Sequence, residues 1–256
     1  MLLAARDLTK SYGSVRAVDG VSFTLEAGET LALIGASGCG KTTTLKLVNR
    51  LIEPDGGEVR LNGQEAHEVD APAWRRRIGY VNQRAGLFPH MSVAENVGIT
   101  PRLLGWTDER IEAGTRRLLD MVGLPADDFA DRRPDALSGG QAQRVGLVRA
   151  LAGQPDLVLM DEPFSAVDPL TKDALIADVA RIRSELGFAA ILVTHDFSEA
   201  VRFADRIAVM AEGRIQQIDT PAKLIAAPAN QTVADLLAAP RDTARQVAAV
   251  FGEAGG

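Results

Sequence analysis

This chain has one cysteine, few aromatic residues and no long apolar run. A single cysteine in 256 residues allows no internal disulfide and fits a reducing compartment. A membrane-spanning helix needs roughly 18 consecutive apolar residues. No run approaches that length, so another chain would have to do any membrane crossing. Residues 1–10 include Arg6 and Asp7 and lack an apolar core, so we expect no signal peptide.

The chain also has fewer basic than acidic residues. The 28 Lys and Arg residues against 34 Asp and Glu residues give a net charge of −6, which argues against a protein held to nucleic acid by bulk charge. Hydrophobic residues make up 46% of the chain and charged residues 24%, which is typical of a globular protein. The length suffices for one large domain, or for one domain with a subdomain.

A glycine-rich loop is the most informative stretch that is present. It lies between an apolar run at 30–34, typical of a buried strand, and a segment at 43–51 that is compatible with a helix. Its spacing fits G-x-x-x-x-G-K-[ST], the phosphate-binding loop. The N–H groups of such a loop and the adjoining helix start converge on phosphate oxygens. The residues are Gly35, Ala36, Ser37, Gly38, Cys39, Gly40, Lys41 and Thr42, with Thr43 behind them.

Three of these loop residues carry specific expectations. Lys41 can reach the β- and γ-phosphates of a nucleotide, and the Thr42 hydroxyl can ligate Mg²⁺. Cys39 is either a small residue that the loop tolerates or a thiol open to modification when nucleotide is absent.

Around the loop, the pattern predicts a strand-rich part and a helical part. Short strands at 3–8, 21–25 and 59–62 predict an antiparallel patch beside the loop. From about Gln83 to Leu137 the pattern predicts an inserted, mainly helical lobe. It is punctuated by prolines (Pro89, Pro101, Pro125, Pro134), and Thr107 can cap a helix running to about Met121.

The second half returns to buried strands. Continuous apolar runs at 157–160 and 189–193 predict strands covered on both faces, with a helix over 175–186 between them. Residues 207–218 predict a hairpin, and the Ala-rich tail from Pro221 is compatible with a helix.

Polar residues follow three of the predicted strands. Asp161 and Glu162 come directly after the run at 157–160, where Asp161 could hold Mg²⁺ and Glu162 could polarise an attacking water. His195 follows the run at 189–193, and Gln83 follows the one at 78–81. Each alone fits an ordinary strand end. Because ligands gather at the carboxyl ends of such strands, the pairing with Lys41 favours a nucleotidase site.

A second glycine-rich helix start follows Leu137. As a helix cap Ser138 needs no further explanation, yet a glycine pair at a helix start also forms an anion site. Two phosphate-type sites in one chain suggest that two chains share each nucleotide. The residues are Ser138, Gly139, Gly140 and Gln141.

In this order the motifs resemble those of ATP-binding-cassette (ABC) ATPases from end to end. The resemblance implies an α/β, P-loop NTPase fold with a RecA-like core (about 1–82 and 153–220). It also implies an antiparallel β subdomain, an inserted helical subdomain (about 83–152) and a helical tail (about 221–256).

The resemblance also implies roles, with ATP and Mg²⁺ as ligands. Tyr12 would stack on adenine, residues 35–42 would be Walker A, and 157–161 Walker B. Glu162 would be the catalytic base, Gln83 the Q-loop residue and His195 the switch histidine. Residues 165–168 would be the D-loop, in which Ser165 and Val167 replace the Gly and Leu of many relatives, and 137–141 the signature.

In this family two subunits sandwich two ATP molecules, and hydrolysis drives a membrane partner. The resemblance therefore implies a homodimer on ATP binding and permease subunits contacting the helical subdomain. It also implies an indirect link to a substrate-binding protein, no nucleic acid, and a peripheral location on the cytoplasmic face of the membrane.

Within the family the chain is most similar to importer ATPases for osmoprotectants such as glycine betaine, choline and carnitine. The alternatives are an importer for an amino acid or another small solute, and a soluble scaffold ATPase for iron–sulfur assembly. We expect no C-terminal regulatory domain pair, because the chain stops too soon for one. The likeness is carried by residues 43–46, 49–54, 86–91, 161–164 and 194–196.

Two other ABC classes fit poorly. A DNA-repair ATPase would insert a long coiled coil between Lys41 and Ser138, where only about a hundred residues intervene without sustained heptads. A translation factor would require two cassettes, and this chain has one set of motifs.

Overall fold

The computed structural model describes residues 1–165, 167 and 169–238. The strands in chain order are β1 Leu3–Tyr12, β2 Val15–Leu25, β3 Thr30–Ile34, β4 Gly56–Leu61, β5 Gln64–Glu65, β6 Ile78–Val81, β7 Leu157–Asp161, β8 Ala189–Val193, β9 Arg206–Ala211 and β10 Arg214–Asp219. The α-helices are α1 Lys41–Val48, α2 Ala71–Arg76, α3 Val93–Leu103, α4 Asp108–Met121, α5 Ala126–Phe129, α6 Gly139–Leu151, α7 Pro169–Leu186, α8 Phe197–Phe203 and α9 Pro221–Ala226.

A six-stranded sheet in the order β10-β9-β3-β8-β7-β6 forms the centre of the fold. The strands from β9 to β6 are parallel, and β10 pairs antiparallel with β9. Every residue of β3 and β8 is buried, which confirms the strands predicted from these apolar runs. Because these five neighbouring strands run in one direction, their carboxyl ends meet at one edge.

Alternate side chains of these strands enter two separate cores. Leu31 and Leu33 pack on the face covered by the antiparallel sheet, α1 and Trp74. Ala32 and Ile34 pack on the other face, against α6, α7 and α8. The period of two explains why both faces of the sheet are apolar.

The predicted antiparallel patch is a sheet with the order β2-β1-β4-β5, and its first two strands are longer than predicted. β1 runs on to Tyr12 and β2 begins at Val15, and these two residues pair at the tip of the hairpin. The predicted ends at 8 and 21 were therefore wrong. The tip is exposed to solvent, so pairing continues there without the apolar pattern of a buried strand.

The lobe between β6 and β7 contains α3 to α6. α4 has the predicted bounds, and Thr107 caps it by accepting a hydrogen bond from the Arg110 N–H. Pro101 lies inside the last turn of α3 and does not end the helix. The subdomain boundaries at 83 and 152 stay a prediction.

The tail beyond β10 packs back onto the fold. Residues 231–238 are helical, and Leu224, Val233 and Leu237 are buried in the core that the helices share. The remainder of the predicted helical tail lies outside the described residues. In the described part of the chain, no helix combines the length and apolar character needed to cross a bilayer.

Candidate functional site

The site lies at the edge where the carboxyl ends of β3, β6, β7 and β8 meet. β3 leads into the glycine-rich loop and α1, and β7 ends at Asp161. Thr194 and His195 follow β8 directly, and Gln83 follows β6 after one intervening residue. The parallel topology thus brings four predicted elements of the site to one edge.

Two glycines allow the loop to fit between the two sheets. A Cβ atom on Gly35 would lie 2.2 Å from the Met210 carbonyl oxygen on β9. A Cβ atom on Gly40, whose φ is 106°, would lie 2.3 Å from the Ala17 carbonyl oxygen on β2. Any side chain at either position would push the loop away from its neighbours. These glycines are therefore required by packing as well as by phosphate binding.

The loop presents an open set of hydrogen-bond donors. The first three N–H groups of α1, from Lys41 to Thr43, have no acceptor within the helix, and Gly40 at the N-cap supplies no side chain. The Lys41 ammonium donates to the carbonyl oxygens of Gly35, at 2.7 Å, and Ala36, at 3.0 Å. Donors and a cation so arranged at a helix start can bind phosphate.

Cys39 is a buried part of this loop. The residue is 7% exposed, and its Sγ lies 3.8 Å from Lys41 Nζ. The interpretation of Cys39 as a thiol open to modification is therefore disfavoured, because the side chain packs inward. It is a small residue that fills space beneath the loop.

Thr42 and Asp161 form an oxygen-rich pair. The Thr42 hydroxyl donates to Asp161 Oδ1 at 2.8 Å. Burial raises the pKa of Asp161, and the charge of Glu162 raises it further, while hydrogen bonds from Thr42 and Tyr80 oppose the shift. A half-buried carboxylate beside a hydroxyl fits Mg²⁺, which prefers oxygen ligands and would offset the cost of burying this charge.

Glu162 lies at the centre of the remaining polar groups. Gln83 Nε2 donates to Glu162 Oε2 at 3.4 Å, and His195 Nδ1 lies 3.5 Å from Glu162 Oε1. The carboxylate is thus placed between two side chains that come from separate strands. A carboxylate so placed can orient a water molecule and accept its proton.

The backbone of Glu162 is constrained as well. Its φ is 48°, a conformation that non-glycine residues seldom adopt. The Glu162 N–H donates to the Val193 carbonyl at 2.9 Å, and the Glu162 carbonyl accepts from the Ser165 hydroxyl at 2.9 Å. Such conformations persist where the surroundings hold them in place. Of the predicted D-loop, Ala166 and Asp168 lie outside the described residues.

Tyr12 lies at the hairpin tip near the loop. Tyr12 pairs with Val15 in the strand register, and its side chain is half exposed. Two residues further along β2 is Ala17, whose carbonyl oxygen lies close to Gly40. An exposed apolar tip beside the phosphate loop offers a surface for a flat ring.

The predicted signature forms a helix start that is separate from the loop. Ser138 and Gln141 make reciprocal hydrogen bonds, so the Gln141 side chain is used in a capping box of α6. Ser138 and Gly139 are exposed. Among the described residues, no hydrogen bond or ion pair joins residues 138–141 to Lys41, Glu162 or His195. The chain alone does not bring this motif to the site.

Sequence reasoning missed several supporting residues. The Tyr80 hydroxyl hydrogen-bonds Asp161, and burial together with that carboxylate raises the pKa of Tyr80. A tyrosine within an apolar strand was the available signal. Lys172 and Glu199, which support the loop after β8, gave none, because they come from distant parts of the chain.

The likeness to known proteins extends over nearly the whole chain. It is 45% identical over 237 residues to the carnitine transport ATP-binding protein OpuCA of Listeria monocytogenes, covering 92% of this chain and 59% of that protein. It is 43% identical over 249 residues to the osmoprotectant import ATP-binding protein OsmV of Salmonella typhimurium, covering 95% of this chain and 65% of OsmV. It is 43% identical over 226 residues to the glycine betaine uptake system ATP-binding protein YehX of Escherichia coli K12, covering 88% and 73%. The chain thus spans about three fifths of the length of the first of these relatives.

Solved structures and a family profile agree with these relatives. A dimeric, post-hydrolysis ATP-binding cassette bound to ADP and Pi superposes with a TM-score of 0.77 at 30% identity, over 86% of this chain and 99% of that one. This likeness confirms the predicted fold class. The profile described as ABC transporter matches residues 18–165, which include the loop, Gln83, the signature and Glu162. The chain therefore belongs to the ABC transporter family, among its ATP-binding subunits.

Proposed function

We propose that this chain hydrolyses ATP to power uptake of a small solute, a quaternary-amine osmoprotectant such as glycine betaine, through separate membrane subunits. The observation that carries the proposal is Glu162, placed between Gln83 and His195 at the sheet edge that also holds Lys41. In this proposal the chain works peripherally at the cytoplasmic face of the membrane.

Each residue of the site has a proposed part in hydrolysis. Lys41 and the open N–H groups at the start of α1 bind the triphosphate, and Tyr12 stacks on adenine. Thr42, Asp161 and Gln83 would hold Mg²⁺, which when bound neutralises charge on the phosphates. Glu162 accepts a proton from the attacking water, while His195 and Gln83 hold that carboxylate in place.

The active form in this proposal is a dimer that encloses two nucleotides. Residues Ser138, Gly139, Gly140 and Gln141 of one copy would complete the site of the other. Two observations support this: the helix start is exposed, and among the described residues no hydrogen bond or ion pair joins its residues to the phosphate loop of the same chain. The similar solved cassette is described as dimeric.

A groove between the core and the lobe is the proposed contact for the membrane subunits. A cavity of about 390 Å³ lies beneath the segment after Gln83, and Arg75, Arg76 and Arg149 line it. Arg149 donates to the Ala85 and Gly86 carbonyls at 2.8 Å each, so it holds that segment in place. Phe88, 45% exposed, lies at the rim. A partner seated here would touch the segment that begins at Gln83.

Variant E162Q tests the hydrolytic part of the proposal. Without a base, ATP hydrolysis should fall by about 100-fold or more, while ATP still binds and holds the dimer together. Turnover assays and size-exclusion chromatography with saturating ATP and Mg²⁺ measure both effects. An E162Q variant that stays monomeric there, or hydrolyses ATP at the wild-type rate, would contradict the proposal.

The solute requires a separate experiment. A relative named for Fe(3+) import, from Rhodococcus jostii, is 46% identical over 230 residues, so import of another small solute is the second candidate. The chain should be purified with the integral membrane proteins that accompany it and reconstituted in vesicles with ATP inside. Accumulation of labelled glycine betaine supports the first candidate. Accumulation of only other solutes supports the second, and copurification with soluble partners alone supports a scaffold ATPase.

A further inference from the structure

A part-buried lysine joins the helices on either side of β8. Lys172 belongs to α7, the helix that follows the Ser165 turn, and its side chain is 24% exposed. Its ammonium pairs with the Glu199 carboxylate on α8 and lies 3.1 Å from Asp196 Oδ2. The Glu199 side chain is only 5% exposed, so this carboxylate depends on its partners for compensation of its charge.

The same cluster fixes the residues on both sides of His195. The Thr194 hydroxyl donates to Glu199 Oε2 and accepts the Asp196 N–H at 3.0 Å. His195 itself is 62% exposed and reaches 3.5 Å from Glu162. Its position is therefore set through its backbone neighbours, because solvent surrounds much of its ring.

We propose that Lys172 is a positioning residue for ATP hydrolysis, which sets the distance from His195 to Glu162 through Glu199 and Asp196. The inference rests on the proposed ATPase function. Without the ammonium, Glu199 and Asp196 lose their shared cation and keep only hydrogen bonds from Thr194 and Ser198. Because the Glu199 charge is buried, the loop at 194–196 must then shift to hydrate it. A misplacement of about 1 Å in an active site can lower turnover by about 100-fold. Among the described residues, no hydrogen bond or ion pair joins the Lys172 ammonium to Tyr12, Lys41 or Thr42, so we expect ATP binding to be unaffected.

The pKa of Lys172 agrees with this arrangement. Burial by itself lowers the pKa, but hydrogen bonds and charge from Glu199 and Asp196 outweigh burial and raise it. The lysine therefore stays protonated throughout the neutral range.

A matched ion pair on the same two helices serves as a control. Arg202 on α8 pairs with Asp173 on α7, the residue next to Lys172. Both side chains are about half exposed, and neither contacts Thr194, Asp196 or Glu199 in the described contacts. Loss of this pair removes a link between α7 and α8 while leaving the cluster at His195 unchanged.

The experiment compares K172M, K172R and R202M in steady-state ATPase assays and thermal melts. K172M should lower kcat at least 10-fold with the KM for ATP within twofold of wild type, K172R should restore at least half of kcat, and R202M should match wild type. A kcat of K172M within twofold of wild type would overturn the inference. An equal loss in K172M and R202M that follows their melting temperatures would also overturn it, because that pattern reports stability alone. Absence of hydrolysis in wild type and R202M would instead refute the proposed function.

Discussion

At the scale of single residues, the phosphate loop is constrained by backbone atoms of neighbouring strands that lie close to its glycines, and the sequence motif does not reveal these contacts. Gly40 fits the phosphate-loop pattern, yet its immediate constraint is the Ala17 carbonyl oxygen, 2.3 Å from where a Cβ would be. Gly38, in the same loop and also at positive φ, faces open space. At Gly40, packing against neighbouring backbone excludes a side chain, whereas at Gly38 only the positive φ disfavours one.

This difference gives a stability prediction. G40A should destabilise the fold by about 2–4 kcal/mol, because the new Cβ must displace backbone as well as adopt a strained φ. G38A, the matched control, should cost only about 1 kcal/mol from backbone strain. Urea denaturation of the nucleotide-free protein measures both. Equal losses would show that the approach to Ala17 is not limiting.

Ionisation of Asp161 and ionisation of Asp196 should change the stability of the fold in opposite directions. The pKa of Asp161 is raised in the fold, so its ionisation weakens the fold as pH rises past its unfolded pKa of about 3.9. Burial works to raise the pKa of Asp196 too, but hydrogen bonds from Ser198 and Lys172 lower it overall, so its ionisation stabilises the fold.

In the absence of nucleotide, D161N should therefore melt above wild type at pH 7, and D196N below it. The D161N difference should vanish as pH falls to about 4, where the unfolded chain protonates Asp161 as well, and the D196N difference should fade below about 4 as Asp196 is protonated in the fold. Melting temperatures across pH 3–8 in metal-free buffer measure this. A D161N variant that is less stable than wild type at pH 7 would show that burial of the Asp161 charge is already compensated.

At the scale of elements, two helices of the lobe begin in the same way but face different surroundings. Ser92 with Glu95 caps α3, and Ser138 with Gln141 caps α6, each through a pair of reciprocal hydrogen bonds. Helix capping alone thus accounts for both serines. What distinguishes Ser138 is the glycine pair behind it, which leaves the start of α6 open to an anion.

S92A and S138A should therefore cost similar stability, about 1 kcal/mol each, through loss of a cap. Only S138A should also weaken the ATP-bound dimer and its turnover, since only that hydroxyl faces the nucleotide of a second copy in our proposal. Sedimentation of both variants in the E162Q background with ATP measures the dimer. Equal weakening of the dimer by S92A would reduce Ser138 to a cap.

The elements also show how far sequence reasoning reaches. The core strands were predictable because strands buried on both faces are continuous apolar runs. The start of α4 was predictable because Thr107 is a residue type that caps helices. The hairpin tip at Tyr12 was not predictable, since exposed strand pairing carries no apolar signal. Residues that meet through topology, such as Lys172 and Glu199, are far apart in the chain and were missed for that reason.

At the scale of the whole molecule, the lobe and the core enclose the cavity lined by Arg75, Arg76 and Arg149. This cavity lies next to the segment that begins at Gln83, because Arg149 in its wall donates hydrogen bonds to the carbonyls of Ala85 and Gly86. A partner seated in it would therefore act on Gln83 through Arg149 and the backbone of residues 85–86.

F88S should reduce copurification of the proposed membrane subunits, because it removes an exposed apolar ring at the rim of this cavity. L103S is the matched control: Leu103 is also an exposed apolar residue of the lobe, but it does not line the cavity. The amount of membrane protein recovered per ATPase subunit measures the effect. A loss with L103S and none with F88S would place the contact elsewhere on the lobe.

The fit of the phosphate loop between β2 and β9 has a consequence for assembly. Since Gly35 rests against one sheet and Gly40 against the other, the loop can take its shape only after both sheets have docked. A fragment that began after the first hairpin would keep Lys41, Thr42, Asp161 and Glu162. It would lack β2, whose Ala17 carbonyl packs against Gly40 of the loop. Nucleotide affinity should therefore report whether the antiparallel sheet has docked on the six-stranded sheet.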